Sequence, residues 1–207
     1  MKHDSIVYVI DDDPAIRASL QSLFASVGYA VQAFASADEF TAAPRLDVPA
    51  CLVLDVRLKG RSGLEFQRDL ARRDDDLPII FVSGHGDVPM SVAAMKAGAV
   101  EFLLKPFRDQ DLLDAVNEGI ERSRRQRDAA QAACAMRDRY QTLSARERQV
   151  MELIASGLMN KQVAEQLALS EVTVKVHRAQ IMQKMQARTL ADLVRIADRL
   201  CGPHRSV

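Results

Sequence analysis

Side chains that can do chemistry follow directly after short apolar runs of this sequence. They are Asp11, Asp12, Asp13, Asp55, Ser83 and Lys105. A buried carboxylate is unfavourable unless something compensates its charge, and crowded carboxylates shift each other's pKa values. Mg²⁺ relieves such crowding and binds through one or two carboxylates. A lysine ammonium suits a phosphate oxygen, and a hydroxyl adds a hydrogen-bond donor. Together these groups are suited to holding a phosphoryl group against a carboxylate nucleophile.

The apolar runs before these side chains have the character of buried β-strands. They are continuous rather than alternating, and lie at 5–10, 29–34, 50–55, 78–84 and 99–104. Helical patterns separate them, at 14–27, 63–72, 87–97 and 109–122. Alternating strands and helices predict a parallel sheet covered by helices on both faces, with ligands at the carboxyl ends of the strands. If these strands are neighbours, the six side chains share one edge. Asp13, before Pro14, is interpreted as a helix cap.

The chain changes character after residue 120. Residues 121–141 contain strong helix formers without Pro or Gly, which favours a helical linker about 30 Å long. A flexible linker is the alternative. From Leu143 onward, four short helices are predicted to form a compact bundle. The capping signals are Ser144 with Glu147, Asn160, Ser170, and Thr189 with Asp192, and Gly157 ends the first of these helices.

The charge is divided unevenly between the two parts of the chain. Residues 137–207 carry 12 Lys/Arg against 7 Asp/Glu, whereas residues 1–136 carry 16 against 21. This asymmetry indicates two tasks and makes the basic part a candidate for nucleic-acid binding, the alternative being an uneven surface without function. Cys51, Cys134 and Cys201 show neither disulfide nor zinc spacing. With no secretory signal and no apolar run of membrane-spanning length, we expect a cytoplasmic protein without membrane contact.

Residues 171–186 form two different faces when they are placed on a helix. Val174, His177, Ile181 and Met185 fall on one stripe that is predicted to face the core. His177 is therefore interpreted as a packed, hydrogen-bonded histidine rather than a metal ligand. The opposite side suits the DNA major groove, with phosphate contacts beside it, although a solvated charged face is the alternative. The candidate DNA-binding residues are Lys161, Thr173, Lys175, Val176, Arg178, Ala179 and Gln183.

Three segments of the first 120 residues resemble the receiver domain of two-component response regulators. They read "VIDDDPAIRASL", "CLVLDVRLKGRSGLEF" and "IIFVSGHGDVPMSVAAMKAGAVEFLLKPF". The resemblance implies a doubly wound, flavodoxin-like α/β fold with a five-stranded parallel sheet. It also implies that Asp55 accepts a phosphoryl group. Mg²⁺ would be held by Asp11, Asp12 and Asp55, with the backbone carbonyl of Arg57.

The same resemblance assigns three switch residues. Ser83 is implied to be the hydroxyl that moves toward the phosphoryl group, Lys105 the lysine that pairs with it, and Phe102 the aromatic switch position. The Lys105–Pro106 peptide bond is expected to be cis. "GHGDVPM" and "MKAGAVEF" are similar to the FixJ branch of the NarL/FixJ family. Lys59 stands where many members have Pro. His85 is interpreted as a loop residue without a catalytic role rather than as a general base.

The segment "LSARERQVMELIASGLMNKQVAEQLALSEVTVKVHRAQIMQKMQARTLADLVRIA" resembles a LuxR-type helix-turn-helix domain. The resemblance implies an all-α domain with a scaffold helix at 161–167, a recognition helix at 171–185 and a final helix, 190–200, for dimer contacts. Ala179 stands where some relatives carry a basic residue. The predicted domains are therefore a receiver at 1–120, a helical linker at 121–141 and a DNA-binding domain at 142–207.

Together the two halves predict a transcriptional regulator controlled by phosphorylation, not an enzyme. Its expected partners are a sensor histidine kinase, promoter DNA and a second copy of the chain, with RNA polymerase as a further candidate. One alternative is a DNA-binding regulator that ignores phosphorylation. Another is a Mg²⁺-dependent phosphohydrolase of the haloacid dehalogenase type, which usually needs a second Asp two residues after its nucleophile. Arg57 occupies that place here.

Overall fold

The computed structural model describes residues 4–60, 62–73, 75–84 and 88–201. Its contacts divide the chain into two compact units, 1–128 and 129–207. One long helix, α5 (Asp109–Gln141), contributes to both of them. Among the described residues, no helix is both long and apolar enough to cross a membrane.

The N-terminal unit is built around a five-stranded sheet in which all strands are parallel. Its strands are β1 (Ile6–Ile10), β2 (Ala30–Phe34), β3 (Ala50–Asp55), β4 (Ile79–Ser83) and β5 (Glu101–Leu104). The order in the sheet is β2-β1-β3-β4-β5. The three central strands are buried along their whole length, which explains their continuous apolar sequences. The predicted strands are confirmed, although β5 begins two residues later than expected.

Helices cover both faces of the sheet, as the doubly wound prediction requires. They are α1 (Pro14–Ser26), α2 (Ala37–Ala42), α3 (Gly63–Arg72), α4 (Val88–Lys96) and α5 (Asp109–Gln141). α1 and α5 pack on the face that carries Val9 and Val53, while α2, α3 and α4 pack on the face of Tyr8 and Leu54. α2 was not predicted from the sequence, because six residues are too few to show a helical period.

Helix caps in the N-terminal unit follow the sequence signals. The Asp13 side chain accepts a hydrogen bond from the amide of Ala15 at 2.8 Å, which confirms it as the cap of α1. α1 ends before Gly28, whose φ of 90° is in the left-handed region. α5 runs without interruption over 33 residues, so 121–141 is helical. The predicted domain boundaries at 120 and 142 stay predictions.

The C-terminal unit contains α6 (Ala145–Ala155), α7 (Asn160–Gln166), α8 (Glu171–Lys184) and α9 (Leu190–Cys201) around an apolar core. Ser144 and Glu147 form the predicted capping box, with bonds of 2.7 Å and 3.2 Å. Ser170 caps α8, and Thr189 and Asp192 bond reciprocally at the start of α9. The prediction for Asn160 is wrong. Asn160 is already the first residue of α7, and its cap is Met159, whose amide donates to Gln162.

The predicted core stripe of α8 is confirmed in its apolar members. Val174, Ile181 and Met185 are buried. His177 is half-buried, but its Nδ1 atom has no hydrogen-bond partner among the described residues. The expectation of a hydrogen-bonded imidazole is therefore wrong for this nitrogen.

Candidate functional site

The carboxyl ends of four neighbouring strands bring the predicted chemical groups to one edge of the sheet. β1 and β4 both pair with β3, and β5 pairs with β4. Asp11 follows β1, Asp55 ends β3 and Ser83 ends β4. Lys105 follows β5, and its amide donates to the carbonyl of Ser83 at 2.8 Å. The register of the parallel strands therefore brings together groups that are up to 94 residues apart in sequence.

Lys105 connects two buried carboxylates at this edge. Its Nζ atom lies 2.8 Å from Asp11 Oδ2 and 2.7 Å from Asp55 Oδ2. Asp11 is 1% exposed, and the Lys105 side chain is 20% exposed. Charge-assisted bonds of this length are strong in a site with little water. One ammonium thus compensates two carboxylates, and the three groups together remain negative.

The other oxygen of each carboxylate accepts a hydrogen bond from a backbone amide. Asp11 Oδ1 accepts from the amide of Asp13 at 2.9 Å. Asp55 Oδ1 accepts from the amide of Arg57 at 2.8 Å. The strand-end backbone therefore orients both carboxylates, and Arg17 adds a 2.7 Å bond to the carbonyl of Asp11. These hydrogen bonds fix the orientation of the Asp11 and Asp55 carboxylates without a bound ligand.

Burial and pairing change the pKa values of two of these groups. Burial raises the pKa of Asp11, and the bonds from Lys105 and from the Asp13 amide offset only part of that effect. Burial lowers the pKa of Lys105, but its bonds to Asp11 and Asp55 outweigh this, so its pKa lies above the ordinary lysine value. Lys105 is therefore a cation throughout the neutral range.

Asp12 completes the acidic group and has a cation of its own. Lys59 Nζ lies 3.4 Å from Asp12 Oδ2, but the Lys59 side chain is 86% exposed. Such a pair is weak, because water screens it and the long side chain loses entropy. The sequence marked Lys59 only as a departure from the usual Pro. Lys59 lies in the loop after β3, and this loop returns to the sheet edge that carries Asp12.

The donor set of this edge fits Mg²⁺. Among the residues that the structure describes, no group of three or more His, Cys, Asp and Glu side chains is arranged as a metal cluster. Mg²⁺ does not need one, since it binds through one or two carboxylates and keeps several waters. Asp11, Asp12 and Asp55 supply hard oxygen atoms, and the backbone of Arg57 lies at the same edge. Their net negative charge favours a divalent cation.

Ser83 ends β4, the strand beside Asp55, and Phe102 lies on β5, the next strand beyond it. Ser83 is fully buried. Phe102 is half-buried and packs against Phe81, with 6.1 Å between ring centroids. The Lys105–Pro106 peptide bond is cis, as expected. His85 lies outside the described residues.

Gly63 is a residue of this site that the sequence interpretation missed. Its amide donates to the carbonyl of Val56 at 2.8 Å, and Arg57 and Ser62 form an isolated bridge beside it. A Cβ atom at position 63 would collide with the backbone carbonyl of Asp55. α3 therefore begins directly against the backbone of Asp55. A glycine at the start of a predicted helix, a few residues after a strand end, is the signal that indicates such an approach.

The second predicted site is the outer face of α8. Lys175, Val176, Ala179 and Gln183 are all exposed. Val172 and Val176 are 70% and 51% exposed, which is unusual for apolar side chains that follow one another by one turn. Arg178 Nη1 donates to Asn160 Oδ1 at 3.3 Å, so α7 helps to orient this guanidinium. Lys161 is exposed, and Thr173 Oγ1 bonds to Ser170 at the start of the helix.

An ion pair between a buried carboxylate and a partly exposed lysine behind this face was also missed. Glu147 on α6 is 3% exposed and lies within 2.9 Å of Lys184 Nζ through both carboxylate oxygens. Lys184 also donates to the carbonyl of Thr142 at 3.4 Å. The pair joins the end of α8 to the start of α6. The partners are 37 residues apart, and no local pattern relates them.

The fold and the acidic edge define the N-terminal unit as a receiver, and the helical unit after it as a helix-turn-helix domain. Residues 7–117 match the family "Response regulator receiver domain". Residues 141–197 match the family "Bacterial regulatory proteins, luxR family". A protein with both is a response regulator that acts on transcription.

Individual relatives support the same class over nearly the whole chain. Nodulation protein W of Bradyrhizobium diazoefficiens is 55% identical, over 95% of this chain and 86% of the relative. Transcriptional regulatory protein FixJ of the same organism is 44% identical, over 93% and 94%. The structure of the response regulator StyR has a TM-score of 0.84 at 45% identity and covers 95% of this chain and 99% of StyR. The chain belongs to the NarL/FixJ family of response regulators, which are phosphorylation-dependent DNA-binding transcriptional regulators.

Proposed function

We propose that Asp55 is the phosphoacceptor of this regulator and that its phosphorylation controls promoter binding by α8. The observation that supports this proposal most directly is the position of Lys105, whose ammonium lies within 2.8 Å of both Asp11 and Asp55. Asp55 is a carboxylate at a buried strand end, oriented by the Arg57 amide and accompanied by a cation that suits phosphoryl oxygens. This arrangement supports a nucleophile that accepts a transferable anion.

The phosphoryl group comes from a phosphohistidine of a sensor histidine kinase. An oxygen of Asp55 attacks phosphorus, the phosphorus–nitrogen bond breaks, and the electron pair of that bond stays on the histidine nitrogen. Lys105 pairs with the phosphoryl oxygens, and Asp11 and Asp12 face the same edge. Asp11, Asp12, Asp55 and the Arg57 carbonyl would hold Mg²⁺, which would neutralise part of the charge on the phosphoryl oxygens when bound.

The new anion acts on the neighbouring strands. A phosphoryl group adds about −1.5 to −2 charges. Ser83 moves toward it as a hydrogen-bond donor, and Phe102 moves further inward behind Ser83. This remodels the exposed apolar residues of α4 and β5, which we call the α4–β5 face: Val88, Val92, Met95 and Leu104. Apolar side chains exposed to this extent on neighbouring elements favour a protein contact, and the proposed contact is a second copy of the chain.

Dimerisation places two copies of α8 on DNA half-sites about one helical turn apart. Lys175, Val176 and Gln183, with Thr173 and Ala179 beside them, face the bases. Lys161 and Arg178 bind phosphates. α9 supplies further dimer contacts. RNA polymerase, as a partner of promoter-bound dimers, belongs to this proposal too. The proposed location is the cytoplasm, where such a kinase and DNA meet.

The test is DNA affinity and intact mass of the wild type and of Asp55→Asn, with and without an acyl phosphate and Mg²⁺. The wild type is expected to gain the mass of one phosphoryl group, to dimerise and to bind DNA more tightly. Asp55→Asn is expected to show none of these changes. Equal DNA binding in all four samples would instead support the regulator that ignores phosphorylation. Steady release of phosphate from small phosphomonoesters would support the phosphohydrolase.

A further inference from the structure

Gln67 is a buried amide side chain that joins two helices of the N-terminal unit. It lies on α3 and is 4% exposed. Its Nε2 atom donates to the carbonyl oxygens of Ala94 and Ala97, both at 3.3 Å. These acceptors lie at the C-terminal end of α4 and just after it, and the Ala94 carbonyl also accepts from the backbone amide of Ala99 at 3.1 Å. One side chain amide, with two N–H donors, therefore binds both carbonyls.

The same helix is attached to the backbone of the phosphoacceptor. α3 begins at Gly63, which lies against the carbonyl of Asp55 and donates to Val56. Gln67 follows one turn later, about 6 Å further along the helix axis. The first turns of α3 thus connect the end of β3 to the end of α4 through two buried contacts.

The contacts that hold α4 on the sheet also set the orientation of its exposed side chains. Ala94 is fully buried and belongs to the core on this face of the sheet. Val88, Val92 and Met95 are exposed and form most of the α4–β5 face. Because a helix turns as a stiff unit, any rotation of its C-terminal end changes where these three side chains point.

We propose that Gln67 is a positioning residue for dimer assembly, which holds the C-terminal end of α4 against α3. This inference rests on the proposed dimerisation through the α4–β5 face. Replacing the amide with an apolar side chain removes one donor from the buried Ala94 carbonyl and one from the partly buried Ala97 carbonyl, and it loosens the attachment of α4. Asp55 keeps its own bonds to Lys105 and to the Arg57 amide, so phosphoryl transfer continues.

The experiment uses the full chain with Gln67→Met, which preserves side-chain length and removes the two donors. Arg68→Met, on the exposed side of the same helix, is the matched control. Acyl phosphate and Mg²⁺ are added, and intact mass and the dimer dissociation constant are measured. We expect Gln67→Met to gain the phosphoryl mass like the wild type but to dimerise about tenfold more weakly, the effect of one or two lost hydrogen bonds. Arg68→Met is expected to match the wild type in both measurements.

A second variant, Gln67→Glu, carries the test even if Gln67→Met does not fold. A protonated Glu donates one hydrogen bond to the α4 carbonyls, whereas an ionised Glu repels them. Dimerisation of Gln67→Glu is therefore expected to strengthen between about pH 8 and about pH 5.5 more than that of the wild type, because burial raises a carboxyl pKa. A pH profile equal to that of the wild type would overturn the inference.

The outcomes separate this inference from the proposed function. If the wild type dimerises on phosphorylation and Gln67→Met, folded, dimerises equally well, the role of Gln67 alone is overturned. If the wild type gains the phosphoryl mass and stays monomeric, the dimerisation proposal fails, and the role of Gln67 fails with it. If no mass is gained, the assignment of Asp55 is wrong as well.

Discussion

Lys105 Nζ lies 2.7 Å from Asp55 Oδ2 and at the same time 2.8 Å from Asp11 Oδ2. The ammonium is shared, so neither buried carboxylate has a full counter-charge of its own. The proposed phosphoryl group on Asp55 would add three oxygens to this arrangement, all of which would attract the same cation. The geometry thus connects a local chemical change at β3 to the residue that follows β5.

Removing this shared ammonium is expected to destabilise the N-terminal unit. Lys105→Met leaves two carboxylates without a counter-charge, and we expect a loss of about 2 kcal/mol in the free energy of unfolding. Because the pKa of Lys105 is raised, its contribution is complete at neutral pH and is lost only as the pH rises through that raised value. Urea unfolding at pH 7 without Mg²⁺ measures the effect.

Lys59→Met is the control for that measurement. Its ammonium faces Asp12, but the side chain is mostly exposed, so the expected change is within about 0.5 kcal/mol. If Lys105→Met and Lys59→Met were equally stable, the pairing of Lys105 with Asp11 and Asp55 would not contribute to the free energy of unfolding.

Gly63→Ala is expected to disturb Asp55 through its backbone. The new Cβ collides with the Asp55 carbonyl, and its three nearest atoms all belong to the backbone of Asp55 and Val56, so they cannot move aside without shifting β3 or α3. Overpacking of this kind typically costs about 1–3 kcal/mol. We expect this loss of stability. We also expect Asp55 to accept a phosphoryl group from an acyl phosphate more slowly, which a time course of the intact mass would measure. Gly84→Ala is the control, since its Cβ would meet no atom within 4 Å among the described residues, and it should leave the thermal unfolding temperature nearly unchanged.

The pair of Glu147 and Lys184 in the C-terminal unit predicts a pH dependence of stability. Burial raises the pKa of Glu147, but the bonds from Lys184 and Ser144 outweigh it and hold the pKa below the usual glutamate value. A depressed folded pKa stabilises the unit above the unfolded value, and that stability is lost as the pH falls through the folded value. The unfolding temperature of this unit should therefore decrease below about pH 4.5.

Glu147→Gln tests the origin of that decrease. Gln retains the capping bond to Ser144 but leaves Lys184 without its carboxylate. Because Lys184 is partly exposed, we expect a loss of about 1–2 kcal/mol at neutral pH. Below pH 4.5 the variant and the wild type should converge. A constant difference at every pH would assign the effect to packing instead.

DNA contacts on and beside α8 predict two different phenotypes. Lys161→Met, at a proposed phosphate contact, should weaken binding about equally for all sequences. It should also reduce the slope of the logarithm of the binding constant against the logarithm of the salt concentration by about one. Lys175→Met, at a proposed base contact, should lose about 1–3 kcal/mol on the operator and much less on unrelated DNA. Titrations on operator and unrelated duplexes at several salt concentrations measure both. Equal losses on the two duplexes for Lys175→Met would make it a phosphate ligand.

Local patterns predicted the elements and the identities of the reactive groups. The uniformly apolar runs of β1, β3 and β4 indicated strands buried on both faces, and Pro14, Ser144 and Ser170 marked helix starts correctly. Asn160 failed as a cap signal because it is the first residue of α7, and the bond at this helix start is donated by the Met159 amide to the side-chain oxygen of Gln162. α2 was missed because six residues, fewer than two helical turns, show too little periodicity.

Distances between residues far apart in sequence were decided by tertiary structure. Asp11, Asp55 and Lys105 each follow or end an apolar run, which the sequence shows by itself. The sharing of one ammonium by both carboxylates depends on strand order and register, which place β1 beside β3 and β5 beyond β4. The contacts of Gly63 with Asp55, Gln67 with α4, and Glu147 with Lys184 arise in the same way. The physical reason is that strand and helix propensities act over a few neighbouring residues, whereas packing of a buried core selects which distant groups meet.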